Sequence, residues 1–421
     1  MTAENQKKYD IKLKRLNDAL DLKEPDMVPI DVEGGKFMIN YAGYTMKDAI
    51  YDTSLEVYKE SVKKFMLDFD PDQLSKSGAN FFGEGPGYEL TDPKNMFIAG
   101  MKSNKIDEDS LHQYVEYPTL LDDEFDEFFS DRTGWRLRKY FPRVAGILEG
   151  FENLSLDYDN RAAVNVAMAF SRPEVKETIQ RLWEVGEFYI KQRKLFADIV
   201  KEMGELGYPD LAAVGGIVHP FDAWSDNYRG TILSLEDLYI NDDAVERFTG
   251  DFHAKQIQRI LNMNKDGSLT GKYASTMLHK GIDGFMNDEC YERFYWKHLY
   301  EIMEAEIKVG LIPMMFCEGN YTSRLKFLKQ SPAGRKLFRF ETIDLKKAKE
   351  DLKGVACLGG AFPSTLLQFG TKEEVREECK RLLDIAMPGG GYIFRTSASI
   401  DGAKTENVEV MFETVREYGK Y

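Results

Sequence analysis

Residues 311–320 read LIPMMFCEGN, and this stretch decides the fold. The run from Leu311 to Phe316 is apolar without a break, as expected of a short strand covered on both faces. Residues able to do chemistry, Cys317 and Glu318, come only where the run ends. The same order recurs along the C-terminal half. Leu211–Val218 is followed by His219-Pro-Phe-Asp222, Ala274–Leu278 by His279-Lys-Gly281, and Val355–Leu358 by Gly359-Gly360. Gly391–Thr396 is one more such run.

Helical patterns separate these runs. One opens at Ser171-Arg-Pro-Glu174, a capping-box pattern, and extends to about Gly204. Others cover 234–264, 288–309 and 405–418, and Thr371-Lys-Glu-Glu374 caps a further one. Strand and helix thus alternate about every 40 residues, which implies a parallel sheet with crossover helices. Neither GxGxxG after a strand nor GxxxxGK[ST] occurs, so both nucleotide-binding fingerprints are missing. The expected class is α/β, a (β/α)8 TIM barrel with polar residues at the strand ends, where barrels place their sites. An open doubly wound sheet is the alternative.

Towards the N-terminus, 9–24 reads as an amphipathic helix stopped by Pro25. It forms an N-terminal helical extension. Val28–Asp31 and 72–78 read as strands, with a helix over 46–66 between them. Residues 79–150 differ in character and read as an insertion or lid within a single barrel domain spanning 1–421. Ten acidic residues lie between Asp107 and Asp131 with no lysine or arginine among them. Arg132, Arg136, Arg138, Lys139 and Arg143 then reverse the sign, which predicts internal ion pairs.

The chain has 421 residues, with 71 acidic against 56 basic side chains and a net charge of −15. Such a balance argues against nucleic acid or an anionic membrane as a partner. No apolar run approaches the ~18 residues of a membrane span. The first ten residues lack the apolar centre of a signal peptide. Four cysteines without a CxxC pair are expected to be reduced, in a cytoplasm.

Three strand ends carry metal-capable groups: His279, Cys317-Glu318 and Cys357. Imidazole, thiolate and carboxylate are a ligand set suited to zinc with one position open. Cysteine within a strand is also a common small core residue. A second cluster is His219, Asp222, Asp226 and Arg229, which can orient a polar substrate or supply a proton. Alternatively, the two aspartates bond loop amides or pair with Arg229. Tyr44, Arg143 and Tyr321 are further polar candidates for binding substrate.

Several segments together carry a family resemblance. They are Arg15, Ala19-Leu20 and Pro25-Asp-Met-Val-Pro-Ile30, HPFDAWSDNYRG (219–230), LHKGIDGFMNDE (278–289), CEGNY (317–321), CLGGAFPSTLLQFGTKEEV (357–375) and GGYIFRTSASIDGAKTENV (390–408). The chain resembles the uroporphyrinogen decarboxylase superfamily, whose distorted (β/α)8 barrel agrees with the reading above. The decarboxylases of that superfamily carry an arginine-rich loop after the first strand, but Gly34–Tyr44 has no arginine. They also carry a histidine turn after the last strand, where this chain has Thr396-Ser-Ala-Ser-Ile-Asp401. Tetrapyrrole decarboxylation is therefore the second reading.

The resemblance implies instead the cobalamin-dependent methyltransferase branch. Its members move a methyl group between a small molecule and the corrinoid of a separate protein. Many hold zinc through His-x-Cys and a later cysteine. Here Met315 or Phe316 stands for the histidine, and Ser397 or Ser399 lies near the later cysteine position. The longer members, linked to O-demethylation of methyl ethers, are the better likeness. On that likeness His279, Glu318 and Cys357 are the expected metal ligands, and Asp222 or His219 the proton donor. A homodimer is compatible with the family. A corrinoid carrier is disfavoured, because Asp-x-His-x-x-Gly occurs at none of the five histidines.

Overall fold

A computed structural model describes residues 1–75, 80–102, 106–156, 160–214 and 216–421, without the side chains of 212–214. A two-stranded antiparallel ribbon, β1 (Met96–Phe97) and β2 (Gln113–Tyr114), lies in the insertion. The main sheet comprises β3 (Ala212–Val214), β4 (Tyr273–Leu278), β5 (Ile312–Asn320), β6 (Leu337–Thr342), β7 (Cys357–Gly360) and β8 (Tyr392–Ile393). Their order is β3-β4-β5-β6-β7-β8, and every pairing is parallel. Two extended segments flank the ends of this sheet. Phe394 N–H donates to Pro29 at 2.8 Å and Asp31 N–H to Phe394 at 3.0 Å. Asp72 N–H donates to Ile30 at 2.8 Å and Leu74 N–H to Pro209 at 2.9 Å. The parallel α/β architecture expected from the sequence is present, with the two N-terminal strands reduced to these few bonds and an isolated bridge between Ile30 and Phe394. Residues 76–78 of the expected strand at 72–78 lie outside the described residues.

The helices used below are α1 (Ala3–Leu20), α2 (Pro173–Glu205), α3 (Gly230–Ile240), α4 (Asp242–Met263), α5 (Lys297–Lys308), α6 (Lys372–Ala386) and α7 (Thr405–Tyr418). In α6 the buried Val375, Cys379, Leu382, Leu383 and Ala386 recur at helical spacing and pack on α7. The Thr371 capping box forms: its side chain accepts the Glu374 N–H, and Glu374 accepts the Thr371 N–H. The capping box expected at Ser171 does not form. Its hydroxyl instead donates to Ala167 at 2.7 Å, and Arg172 precedes α2 without a side-chain cap. The helix expected over 46–66 is two helices, Met46–Tyr51 and Glu56–Phe69, because Leu55 adopts a left-handed φ of 61° between them. The pattern over 234–264 likewise breaks at Asn241 into α3 and α4.

One end of the sheet is sealed by apolar packing. Leu16, Ala19 and Leu20 of α1 meet Leu211, Tyr273, Ile312, Leu337, Cys357 and Ile393. The last five of these lie at or next to the N-terminal ends of their strands. The polar residues that follow the strands are therefore left at the opposite end. No helix of the described residues is long and apolar enough to cross a membrane.

Candidate functional site

At the C-terminal ends of the strands lies a cavity of about 840 Å³. His279 and Lys280 follow β4, Glu318 and Gly319 end β5, and Glu341 is near the end of β6. Asp226 and Asn227 enter from the segment after Trp224. The insertion supplies the facing wall, with Tyr88, His112, Tyr114, Glu116 and Tyr140 among its residues. Tyr114 hydroxyl donates to the Asp226 carbonyl at 2.9 Å and Thr119 to the Asn227 carbonyl at 2.6 Å, so this wall is bonded to the segment after Trp224.

Three π-helical turns among the described residues feed this site. Ser225–Arg229 carries Asp226, Tyr291–Trp296 carries Tyr295, and Arg136–Tyr140 carries Tyr140. An extra residue in a turn rotates the following side chains out of helical register, and such turns are frequent at functional sites.

His279 is the centre of the arrangement. Its Nδ1 lies 2.6 Å from Asp226 Oδ2, and its Nε2 lies 3.4 Å from Glu318 Oε2. The hydrogen bond to Asp226, with the charges of Asp226, Asp222 and Glu318, pulls its pKa up to about 9. The ring is therefore an imidazolium near neutral pH, with both nitrogens donors. Lys280 Nζ lies 3.5 Å from Asp226 and donates to Thr231 at 3.0 Å.

Asp222 lies beneath this layer and is 1% exposed. Its Oδ2 accepts the His279 N–H at 3.1 Å and the Tyr295 hydroxyl at 2.8 Å, and its Oδ1 accepts the Lys280 N–H at 3.0 Å. Burial first, and the nearby Asp226 charge second, push its carboxyl up to about 7. Asp222 thus fixes the backbone that carries His279 and Lys280. It has no place on the cavity wall.

His219, the other expected proton donor, is fully buried. Its Nδ1 accepts the Phe221 N–H at 3.2 Å, its Nε2 is 3.0 Å from the Tyr295 carbonyl, and its ring stacks on Tyr295 at 3.6 Å. Burial holds its pKa well below the usual histidine value. Both nitrogens are occupied, so His219 supports Tyr295 and presents no proton to the cavity.

The expected ligand set of His279, Glu318 and Cys357 is not brought together. His279 and Glu318 are neighbours, but Cys357 is the first residue of β7, paired in register with Leu337 at the start of β6. It packs in the apolar floor against α1, and burial pushes its thiol up to about 12. Cys317 is also fully buried, its thiol raised by burial. Among the described residues no three His, Cys, Asp or Glu side chains are grouped to hold a metal ion. Cys357→Ala is expected to cost about 1 kcal/mol of stability through lost packing, with metal content and activity unchanged. Denaturant melts with elemental analysis check this.

The expected substrate-binding residues also lie elsewhere. Tyr44 hydroxyl donates to Glu60 at 2.7 Å, away from the cavity lining. Arg143 pairs with Glu124 at 2.7 Å and also donates to the Thr119 carbonyl, inside the predicted charge network of the insertion. Arg229 is buried on Asp237, and Tyr321 is buried with its hydroxyl on the Leu278 carbonyl at 2.9 Å. The sequence reading missed Glu341, Glu116 and the tyrosines of the insertion. The available signal was the density of tyrosines and acids within the insertion itself, as in Gln113-Tyr-Val-Glu-Tyr117.

The protein-family model described as uroporphyrinogen decarboxylase (URO-D) matches residues 174–418. Methylcobamide:CoM methyltransferase MtbA of Methanosarcina acetivorans is 24% identical over 239 residues, 53% of this chain and 63% of that protein. MtbA of Methanosarcina mazei is 22% identical over 228 residues, 52% of this chain and 62% of that protein. The chain thus spans less than two thirds of the length of these curated relatives. A solved methyltransferase from Methanosarcina mazei superposes with a TM-score of 0.59 at 14% identity, covering 97% of this chain and 98% of that one. This last likeness is one of fold.

Proposed function

Because the chain belongs to the uroporphyrinogen decarboxylase (URO-D) family, we propose that it is a corrinoid-dependent methyltransferase. In this reading it moves a methyl group from a small methyl ether to the Co(I) corrinoid of a separate protein. The relatives named as methylcobamide:CoM methyltransferases support the reaction class. The observation that carries the choice of an ether is the imidazolium of His279, held by Asp226 at 2.6 Å beside the open cavity.

The corrinoid supplies a nucleophilic cobalt that takes the methyl carbon. The C–O electron pair then stays on the ether oxygen, a poor leaving group unless it gains a proton. His279 Nε2 donates that proton, and Asp226 keeps the ring oriented and charged. Asp222 holds the His279 backbone through its two oxygens. Glu318, next to Nε2, is placed to relay a proton back from solvent.

The same cavity argues against a substrate with several carboxylates. Glu116, Asp226, Glu318 and Glu341 line it against only His279 and Lys280. The test is methylation of free cob(I)alamin, held reduced, by a panel of aryl and alkyl methyl ethers. Enzyme-dependent appearance of the methylcobalamin absorbance is expected. Absence of transfer with every ether, together with decarboxylation of uroporphyrinogen or methylation of a thiol by methylcobalamin, would overturn the reading.

A further inference from the structure

The cavity walls carry more carboxylates than His279 and Lys280 can neutralise. Asp226 is occupied by both cations, at 2.6 Å from His279 and 3.5 Å from Lys280. Glu318 shares His279 at 3.4 Å. Glu341 accepts the Gly319 N–H at 2.6 Å, and Glu116 accepts the Thr231 hydroxyl at 2.8 Å. Neither is seen in an ion pair with lysine, arginine or histidine among the described residues. Glu341 therefore faces the cavity with a hydrogen bond but no ion pair among the described residues, and Glu116 reaches Lys280 only through the Thr231 hydroxyl.

The opposite wall is aromatic. Tyr88 hydroxyl donates to the Met96 carbonyl at 3.1 Å and Tyr114 hydroxyl to the Asp226 carbonyl at 2.9 Å. With their hydroxyls bound to main chain, these residues offer an entering molecule chiefly ring surface. Ring surfaces and carboxylates share one preference, for a cation: the rings through their quadrupole and the carboxylates through charge. A neutral ligand would leave Glu341 without an ion pair, and Glu116 with Lys280 only through Thr231, in the partly closed cavity. An anion would face four carboxylates against two cations.

We infer that the small molecule bound here carries a positive charge, as an ammonium-bearing methyl ether does. The inference deepens the methyl-transfer reading and rests on it for the methyl ether alone. The positive group sits with Glu341, Glu116 and the tyrosines, and the ether oxygen takes the proton of His279. Charge balance then accompanies binding, because the bound cation offsets the excess carboxylate. Glu341 and Glu116 act as specificity-determining residues with no part in the bond-breaking step.

The experiment is calorimetric titration of the full chain, without corrinoid, with three ligands of one shape near neutral pH. These are para-methoxybenzylamine, which is an ammonium ion, para-methoxybenzyl alcohol and para-methoxybenzoate. The amine is expected to bind at least about tenfold tighter than the alcohol, which corresponds to about 1.4 kcal/mol. The benzoate is expected to bind weakest. The amine's advantage should shrink several-fold in Glu341→Gln, which retains an acceptor for Gly319, and also as salt is raised. Equal binding of amine and alcohol, tighter binding of benzoate, or binding of none of the three would overturn the inference. The two proposals fail separately. Preference for the cation without methyl transfer to cob(I)alamin removes the transfer reading and keeps the charge preference. Transfer from neutral ethers without any preference in binding does the reverse.

Discussion

Replacing His279 by Gln should lower methyl transfer to cob(I)alamin by about 10²–10⁴-fold, the usual contribution of a positioned proton donor. The side chain is 37% exposed at the cavity edge, so the fold should survive the change. Binding of the ether should be nearly unchanged, because the lost proton matters only as the C–O bond breaks. The pH profile gives an independent reading. On the proposed mechanism the active form is the imidazolium, whose pKa is pulled up to about 9 chiefly by the hydrogen bond to Asp226. Activity should therefore hold through neutral pH and fall as pH rises past about 9. Asp226→Asn removes the principal cause of that shift. Its alkaline limb should move down towards about 6.5, the ordinary histidine value, and activity at mildly alkaline pH should drop. A His279→Gln enzyme retaining wild-type kcat within about threefold would refute this role.

Arg229→Ala should destabilise the protein by about 3–5 kcal/mol, because it leaves a buried charge without its partner. Arg229 is 2% exposed and grips Asp237, itself fully buried, at 2.8 and 3.0 Å. It also donates to the Leu120 carbonyl at 2.7 Å and to Asp122 at 2.5 Å, tying the insertion to α3. Trp224 at 3.0 Å and Asn241 at 2.8 Å complete the shell around Asp237, and these neutral donors do not replace a positive charge. Denaturant unfolding should show the loss, and the double variant Arg229→Met with Asp237→Leu should recover part of it. A residue that bound substrate would behave differently, raising KM with stability intact. That outcome would return Arg229 to the site.

The sequence misjudged charges more than it misjudged apolar residues. β6 went unread because Arg339 interrupts Leu337-Phe-Arg-Phe340. An arginine inside a strand covered on both faces contradicts the pattern unless it has a partner. Here Glu33, about 300 positions earlier in the chain, meets it at 2.5 Å, and Arg395 lies 3.0 Å from Asp31. No local signal announces such a pair. The expected ion pairs of the insertion did form, as Lys139 and Arg143 on Glu124 show. Opposite charges close in sequence are legible in a way that distant ones are not.

The difference between Cys357 and His279 has the same origin. The apolar run predicts a strand at 355–358 ending near Cys357, whereas β7 spans Cys357–Gly360. A shift of two residues, about 7 Å along a strand, moves the thiol from near the site to the floor. His219 and His279 both follow apolar runs, yet the tertiary contacts bury one behind Tyr295 and leave the other on the cavity.

By itself the sequence determined the parallel α/β architecture and the end of the sheet that carries polar groups. Both follow from hydrophobic periodicity and the order of strands and helices, which are local properties. Only the tertiary structure decided which polar groups meet. Pairing Asp226 with His279, and leaving Glu341 without an ion pair among the described residues, depend on segments far apart in sequence and on side-chain burial. Those contacts set which group holds a proton at neutral pH, and so what the site can do.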